Sequence, residues 1–207
     1  YPVNPPYAFV TIKFDKCEEE LDYQIKEPKL REGEAELLKK ITKIPGDYKI
    51  SISNLSPRWL IRYIDDLIDI IKTKKIIALG IPIQSGNNRI LKLMKRYHDK
   101  EKIIEALIKI KKAFPKLILH THIMIGFPTE TEEEFKQTMS FIEKCNFDGG
   151  KAFPYSCKSG SVAERIEPKI SKNEINNRII QAKNYLKKEG YYVYKPKEYG
   201  FLFEKKK

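Results

Sequence analysis

Gly80-Ile-Pro-Ile-Gln-Ser-Gly-Asn-Asn-Arg-Ile-Leu-Lys-Leu-Met-Lys-Arg96 and, further along, Ile123-Met-Ile-Gly-Phe-Pro-Thr-Glu-Thr131 decide the fold class. Each is a short apolar run that meets a glycine-containing turn and then a helix-period pattern, which reads as a buried strand feeding a helix. In the first, Ile76 to Ile83 is nearly all apolar, as expected of a strand covered on both faces. Asn87 to Arg96 follows as a short helix. In the second, Leu117 to Ile125 is the strand, and Thr129-Glu-Thr-Glu132 reads as a capping box. Phe135, Met139 and Ile142 then fall on one helical face.

The same alternation extends in both directions. Upstream, Tyr7 to Phe14 and Tyr48 to Ser53 are strand candidates, separated by an acidic, polar loop (15–31) and a helix from Glu34 to Lys43. Ser56-Pro57 starts a helix whose stripe is Leu60, Ile61, Ile64, Leu67, Ile68 and Ile71. Asp99 caps another, lined by Ile103, Ile104, Leu107, Ile110 and Phe114. Downstream come a short strand, Lys151 to Tyr155, a second capping box at Ser171-Lys-Asn-Glu174, and a helix closed by Gly190. Tyr191 to Tyr194 and Tyr199 to Phe203 suit a terminal hairpin. Repeated strand–helix units imply an α/β fold with parallel strands and right-handed crossovers. Five such units suit an open sheet or incomplete barrel. The expected organisation is a barrel domain over 1–190 and a C-terminal hairpin or tail over 191–207.

At 207 residues the chain can bury a substantial core. Its 41% hydrophobic and 33% charged composition does not point to disorder. No apolar run approaches the roughly 20 residues of a membrane span, and no leader-like pattern points to secretion. The Tyr1 start suggests that sequence preceded it. The net charge of +12 is compatible with a phosphate-rich partner, although the excess is mostly lysine that could simply coat a soluble surface. Asp65, Asp66 and Asp69 read as solvated. Cys17, Cys145 and Cys157 are scattered and odd in number, which points to no disulfide framework and to a reducing, cytoplasmic setting.

In parallel α/β architecture ligands bind at the carboxyl ends of strands, where both turns lie. Gly86 permits a close turn, and Gln84 and Ser85 add groups able to hydrogen-bond a ribose. Gly126 again permits close approach, and Phe127 offers a flat face to an adenine ring. The competing reading is a pair of capped turns with no ligand. His120 and His122, two apart on a strand, could reach one metal ion. No carboxylate completes that site, so packed or hydrogen-bonded histidines are the better expectation.

Pro82-Ile-Gln-Ser-Gly86 with Met94-Lys-Arg96, Thr121-His-Ile-Met-Ile-Gly-Phe-Pro-Thr-Glu-Thr131 and Phe153-Pro-Tyr-Ser-Cys-Lys-Ser-Gly-Ser-Val-Ala163 together resemble the methylthiotransferase family of radical S-adenosylmethionine (SAM) enzymes. The resemblance covers about Gly33 to Ile180. It implies a partial (β/α)6 barrel, here with the first strand missing. It further implies SAM contacts at Gln84, Ser85, Gly86, Gly126 and Phe127, with Arg96 pairing a carboxylate of SAM or substrate. The implied cofactors are SAM and a four-iron–four-sulfur cluster; the implied partners are transfer RNA, methylthiolated at an adenosine, or a ribosomal protein. Two local departures are His122 for an Asp and Lys158 for an Arg. The larger one is the lack of a Cys-x-x-x-Cys-x-x-Cys loop, since none of the three cysteines has ligand spacing. Without the cluster SAM's amino-acid end loses its iron anchor, so weak SAM binding is expected of this chain alone. A catalytically inactive scaffold or RNA-binding homologue is the alternative.

Overall fold

The computed structural model describes residues 8–13, 32–195 and 199–206. Five parallel strands lie side by side in chain order: β1 (Ala8–Lys13), β2 (Tyr48–Ser53), β3 (Ile76–Gln84), β4 (Ile118–Ile125) and β5 (Gly149–Pro154). The helices between them are α1 (Glu32–Lys43), α2 (Pro57–Arg62), α3 (Ile64–Ile71), α4 (Asn88–Leu93), α5 (Lys100–Ala113) and α6 (Glu132–Lys144). A 3-10 turn (Val162–Arg165) and α7 (Lys172–Lys188) lead to the antiparallel pair β6 (Tyr191–Tyr194) and β7 (Phe201–Lys205). Through β7 this hairpin joins β5, so the sheet has seven strands in the order β1-β2-β3-β4-β5-β7-β6.

The unbroken order of the parallel strands has a geometric consequence. Right-handed crossovers that always step the same way put every connecting helix on one side of the sheet. Ile50, Ile52, Leu79, Ile81, Leu119, Ile123 and Ala152 point to that side. They form one core with Leu38 (α1), Leu60 (α2), Leu67 (α3), Leu107 (α5), Phe135 (α6) and Leu186 (α7). The opposite side alternates with it and carries Ser51, Ser53, Gly80, His120, His122 and Lys151. This is the wall of an open, partial (β/α) barrel. The expected burial of β3 on both faces is therefore corrected, because Gly80 and Pro82 are only half-buried and face the open side. A cavity of about 140 Å³ lies there, lined among others by Ser51, Ser53, Gly80, Pro82, His120 and His122.

Three local readings change. The helix expected over 56–71 breaks at Tyr63 (φ −116°, ψ 28°), which ends α2 and begins α3; periodicity alone does not register a one-residue break. The capping box belongs to Thr131 and Glu134, not Thr129 and Glu132. Both threonines have Glu three residues on, and Thr129 is withdrawn from the helix by its φ of +68°. At α7 only half a box forms: Ser171 accepts from the Glu174 amide, while the Glu174 carboxylate accepts from Arg178. Asp65, Asp66 and Asp69 are solvent-accessible as expected, and there they meet the surface lysines Lys109, Lys39 and Lys72. The expected loop over 15–31, with Cys17, lies outside the described residues. Among the described residues no helix is long and apolar enough to cross a membrane.

Candidate functional site

Gln84 ends β3 with φ +73°, a conformation that costs a non-glycine residue about 1–2 kcal/mol. Beyond it the turn is fastened to α6 through Thr138 and Gln137. The Thr138 hydroxyl lies 3.3 Å from the Ser85 hydroxyl and accepts the Gly86 N–H at 2.9 Å. Asn87 donates to Gln137 at 2.7 Å and caps α4 by accepting the Ile90 N–H. A Cβ on Gly86 would stand 2.6 Å from Phe141 Cβ and 2.7 Å from Thr138 Cα. Glycine is therefore required at this position by the docking of α6.

Arg96 ends the α4 segment. Its amide reaches Leu91 O at 2.8 Å, and Lys95, at φ +54°, bonds Lys92 O, the two hydrogen bonds of a Schellman motif. The Arg96 side chain is half-buried and forms no ion pair among the described residues.

The turn after β4 is held from two sides. Gly126 (φ +83°) donates to Glu130 Oε2 at 2.8 Å, and a Cβ there would meet Ile175 Cγ1 of α7 at 2.4 Å. Arg178 of α7 donates to both the carbonyl and the carboxylate of Glu130, at 3.0 Å each. Arg89 of α4 grips Glu134 with two bonds of 2.6 Å and also reaches Thr129 O at 2.8 Å. The Arg89 guanidinium holds the Glu134 carboxyl below its ordinary range. Glu130 behaves oppositely: burial pushes it up to about 7, against the Gly126 N–H and Arg178, which favour the carboxylate. Phe127 is buried with its ring edge-on to Tyr155, 5.4 Å between centroids.

The two turns adjoin. Gln84 pairs with Ile123, and the Tyr155 amide bonds Ile125 O, so the ends of β3, β4 and β5 form one rim. Gln84 Oε1 and Glu130 Oε1, both at this rim, are buried without a hydrogen-bond partner among the described residues. Burial, with a smaller effect from the Cys157 thiol, pushes the Tyr155 phenol up to about 12. Unsatisfied polar atoms are costly, and a ligand with matching donors would relieve them.

Sequence reasoning missed Arg89, Glu130, Glu134, Thr138 and Arg178. The available signal was a polar residue on an otherwise apolar stripe: Thr138 between Phe135 and Met139, and Arg178 between Ile175 and Ala182. His120 and His122 do share the open face, as their spacing predicts. Burial lowers both imidazole pKa values, and for His122 the nearby Lys151 adds to this. Among the described residues no three His, Cys, Asp or Glu side chains are grouped to hold a metal ion.

The sequence profile of the radical SAM superfamily matches residues 13–142. The chain belongs to the radical SAM superfamily. It is 38% identical over 160 residues to the tRNA-2-methylthio-N(6)-dimethylallyladenosine synthase of Acetivibrio thermocellus, covering 75% of this chain and 33% of that one. It is also 38% identical over 160 residues to the threonylcarbamoyladenosine tRNA methylthiotransferase MtaB of Bacillus subtilis, covering 75% and 35%. The chain thus spans about a third of the length of the curated relatives it matches. A solved structure, the radical SAM enzyme coproporphyrinogen III oxidase (HemN) from Escherichia coli, superposes with a TM-score of 0.65 at 21% identity, covering 84% of this chain and 39% of that one. That likeness concerns the fold.

The cluster and SAM, the cofactors of the radical SAM superfamily, fare differently against the residues present. A four-iron–four-sulfur cluster needs cysteine thiolates grouped at one place. Cys145 is fully buried in the core at the end of α6, and burial raises its thiol pKa well above the usual range. The α6 helix starts at the carboxyl end of β4 and runs back for 13 residues, about 20 Å at about 1.5 Å per residue. Cys145 therefore sits at the far end of the barrel from the rim, while Cys157 is exposed in the loop after β5. Cys145 and Cys157 do not fit the cluster. The rim, with its orphaned Gln84 oxygen, does fit a polar ligand of SAM's kind.

Proposed function

We propose that this chain is the radical-SAM-type domain of a methylthiotransferase-like protein that acts on an adenosine of transfer RNA. The observation that carries the reading is the convergence of the Gln84–Gly86 and Gly126–Thr131 turns on one rim, where buried polar atoms await a partner. SAM seats there in this reading. Gln84 Oε1 accepts from an amino or hydroxyl group of the ligand. Gly126 and Phe127 supply the backbone wall, and Arg96 meets a carboxylate. Ser85 and Gly86 act by holding Gln84 in its left-handed conformation through Thr138. The bound group would supply the adenosyl chemistry; this chain's residues orient it and exclude water from the rim. The tRNA-directed relatives and the net charge of +12 favour RNA over a ribosomal protein. A cytoplasmic setting goes with that substrate.

The test is anaerobic iron–sulfur reconstitution of the full natural product of the gene, with bound iron counted and the visible spectrum recorded. The expected result is about four irons per chain with thiolate-to-iron absorption, unaffected by Cys145→Ser and Cys157→Ser. Absence of bound iron would replace this reading by a cluster-free scaffold.

A further inference from the structure

The open face of the sheet does not end at β5. Residues paired across neighbouring strands point to the same side. One row runs Tyr192, Glu204, Gly149, His120; the next runs Tyr194, Leu202, Lys151, His122. The side chains of β6 that alternate with these, Tyr191 and Val193, turn to the core. The hairpin thus sets two tyrosines, 60% and 46% exposed, on the side of the sheet that also bears the histidines. Tyr199, 60% exposed, lies beside β7. The Lys206 ammonium stands 5.3 Å over the Tyr192 ring. Glu204 is the carboxylate on these two rows, and it accepts from the Tyr194 hydroxyl at 3.3 Å.

We propose that this edge of the open face binds single-stranded RNA, with Tyr192 and Tyr194 as stacking platforms and Lys206 beside them as a phosphate contact. Two exposed aromatic rings two residues apart on a strand match the way sheets take up unpaired bases. Charge complementarity selects a polyanion. Residues 191–207 hold five lysines against two glutamates, in a chain of net charge +12. The surface lies outside the stretch 13–142 that matches the superfamily. The inference rests on the tRNA reading for its natural ligand, but its test does not.

That test is fluorescence anisotropy of the full chain with a short fluorescein-labelled single-stranded oligouridine, at several salt concentrations. Binding should weaken as salt rises, and Tyr192→Ala with Tyr194→Ala should weaken it about tenfold or more. Tyr192→Phe with Tyr194→Phe should bind like the parent, because stacking needs the ring and not the hydroxyl. Blunt duplex RNA should be indifferent to the alanine substitutions. Circular dichroism checks that the variants fold. The proposal is overturned if the parent does not bind, or if the alanine variants bind single strands as tightly as the parent. Either result would leave the iron-reconstitution test of the proposed function untouched.

Discussion

Replacing Glu130 by Gln isolates the buried carboxyl that holds the turn after β4. Glu130 is 2% exposed, accepts the Gly126 N–H and is paired with Arg178, itself buried. Burial raises its pKa from 4.5 to about 7. An acid with a raised folded-state pKa holds its proton in the native state where the unfolded chain has already lost it. Its stabilising effect is complete below about pH 4.5 and is lost as pH rises through about 7. At about 1.4 kcal/mol for each pH unit, the loss amounts to about 3 kcal/mol. Glu130→Gln keeps an acceptor for the Gly126 amide and for Arg178, which retains Glu174 at 3.0 Å and Glu132 at 3.6 Å as counter-charges. The variant cannot ionise and so lacks this loss. Urea unfolding can be followed by the fluorescence of the chain's single tryptophan, Trp59, which is buried. Between about pH 4 and about pH 8, parent stability should fall relative to the variant by about 3 kcal/mol. Two pH profiles that stay parallel within about 0.5 kcal/mol would refute the reasoning.

Gly126→Ala should cost about 2–4 kcal/mol, combining the left-handed backbone with overlap on Ile175. Ile175→Ala in the same chain should recover the overlap alone, giving a coupling of about 1 kcal/mol or more in a double-mutant cycle by urea unfolding. Iodoacetamide labelling of the native protein, read by mass spectrometry of peptides, should modify exposed Cys157 and spare buried Cys145 until denaturant is added.

The sequence by itself determined the strand–helix alternation, the parallel class, the positions of both glycine turns and the terminal hairpin. These are local signals. A period of two or 3.6, a proline or a glycine acts within a few residues of itself, so the chain states them without knowing its fold. Spacing also placed His120 and His122 on one face. Tertiary structure decided what local patterns leave open. Thr129 and Thr131 are equivalent as caps in sequence; Arg89, arriving from 40 residues away, grips the Thr129 carbonyl while Thr131 caps the helix. Gly86 reads as a close turn; that α6 rests on it, with Thr138 bonded to its amide across 52 residues, appears only in the fold. Cys145 and Cys157 are only twelve positions apart, yet an intervening strand running opposite to α6 separates core from rim. The two tyrosines of β6 join the histidines of β4 on one surface only because β7 inserts antiparallel between β5 and β6. Register and crossover direction couple residues distant in the chain, and that coupling exists only once the sheet has formed.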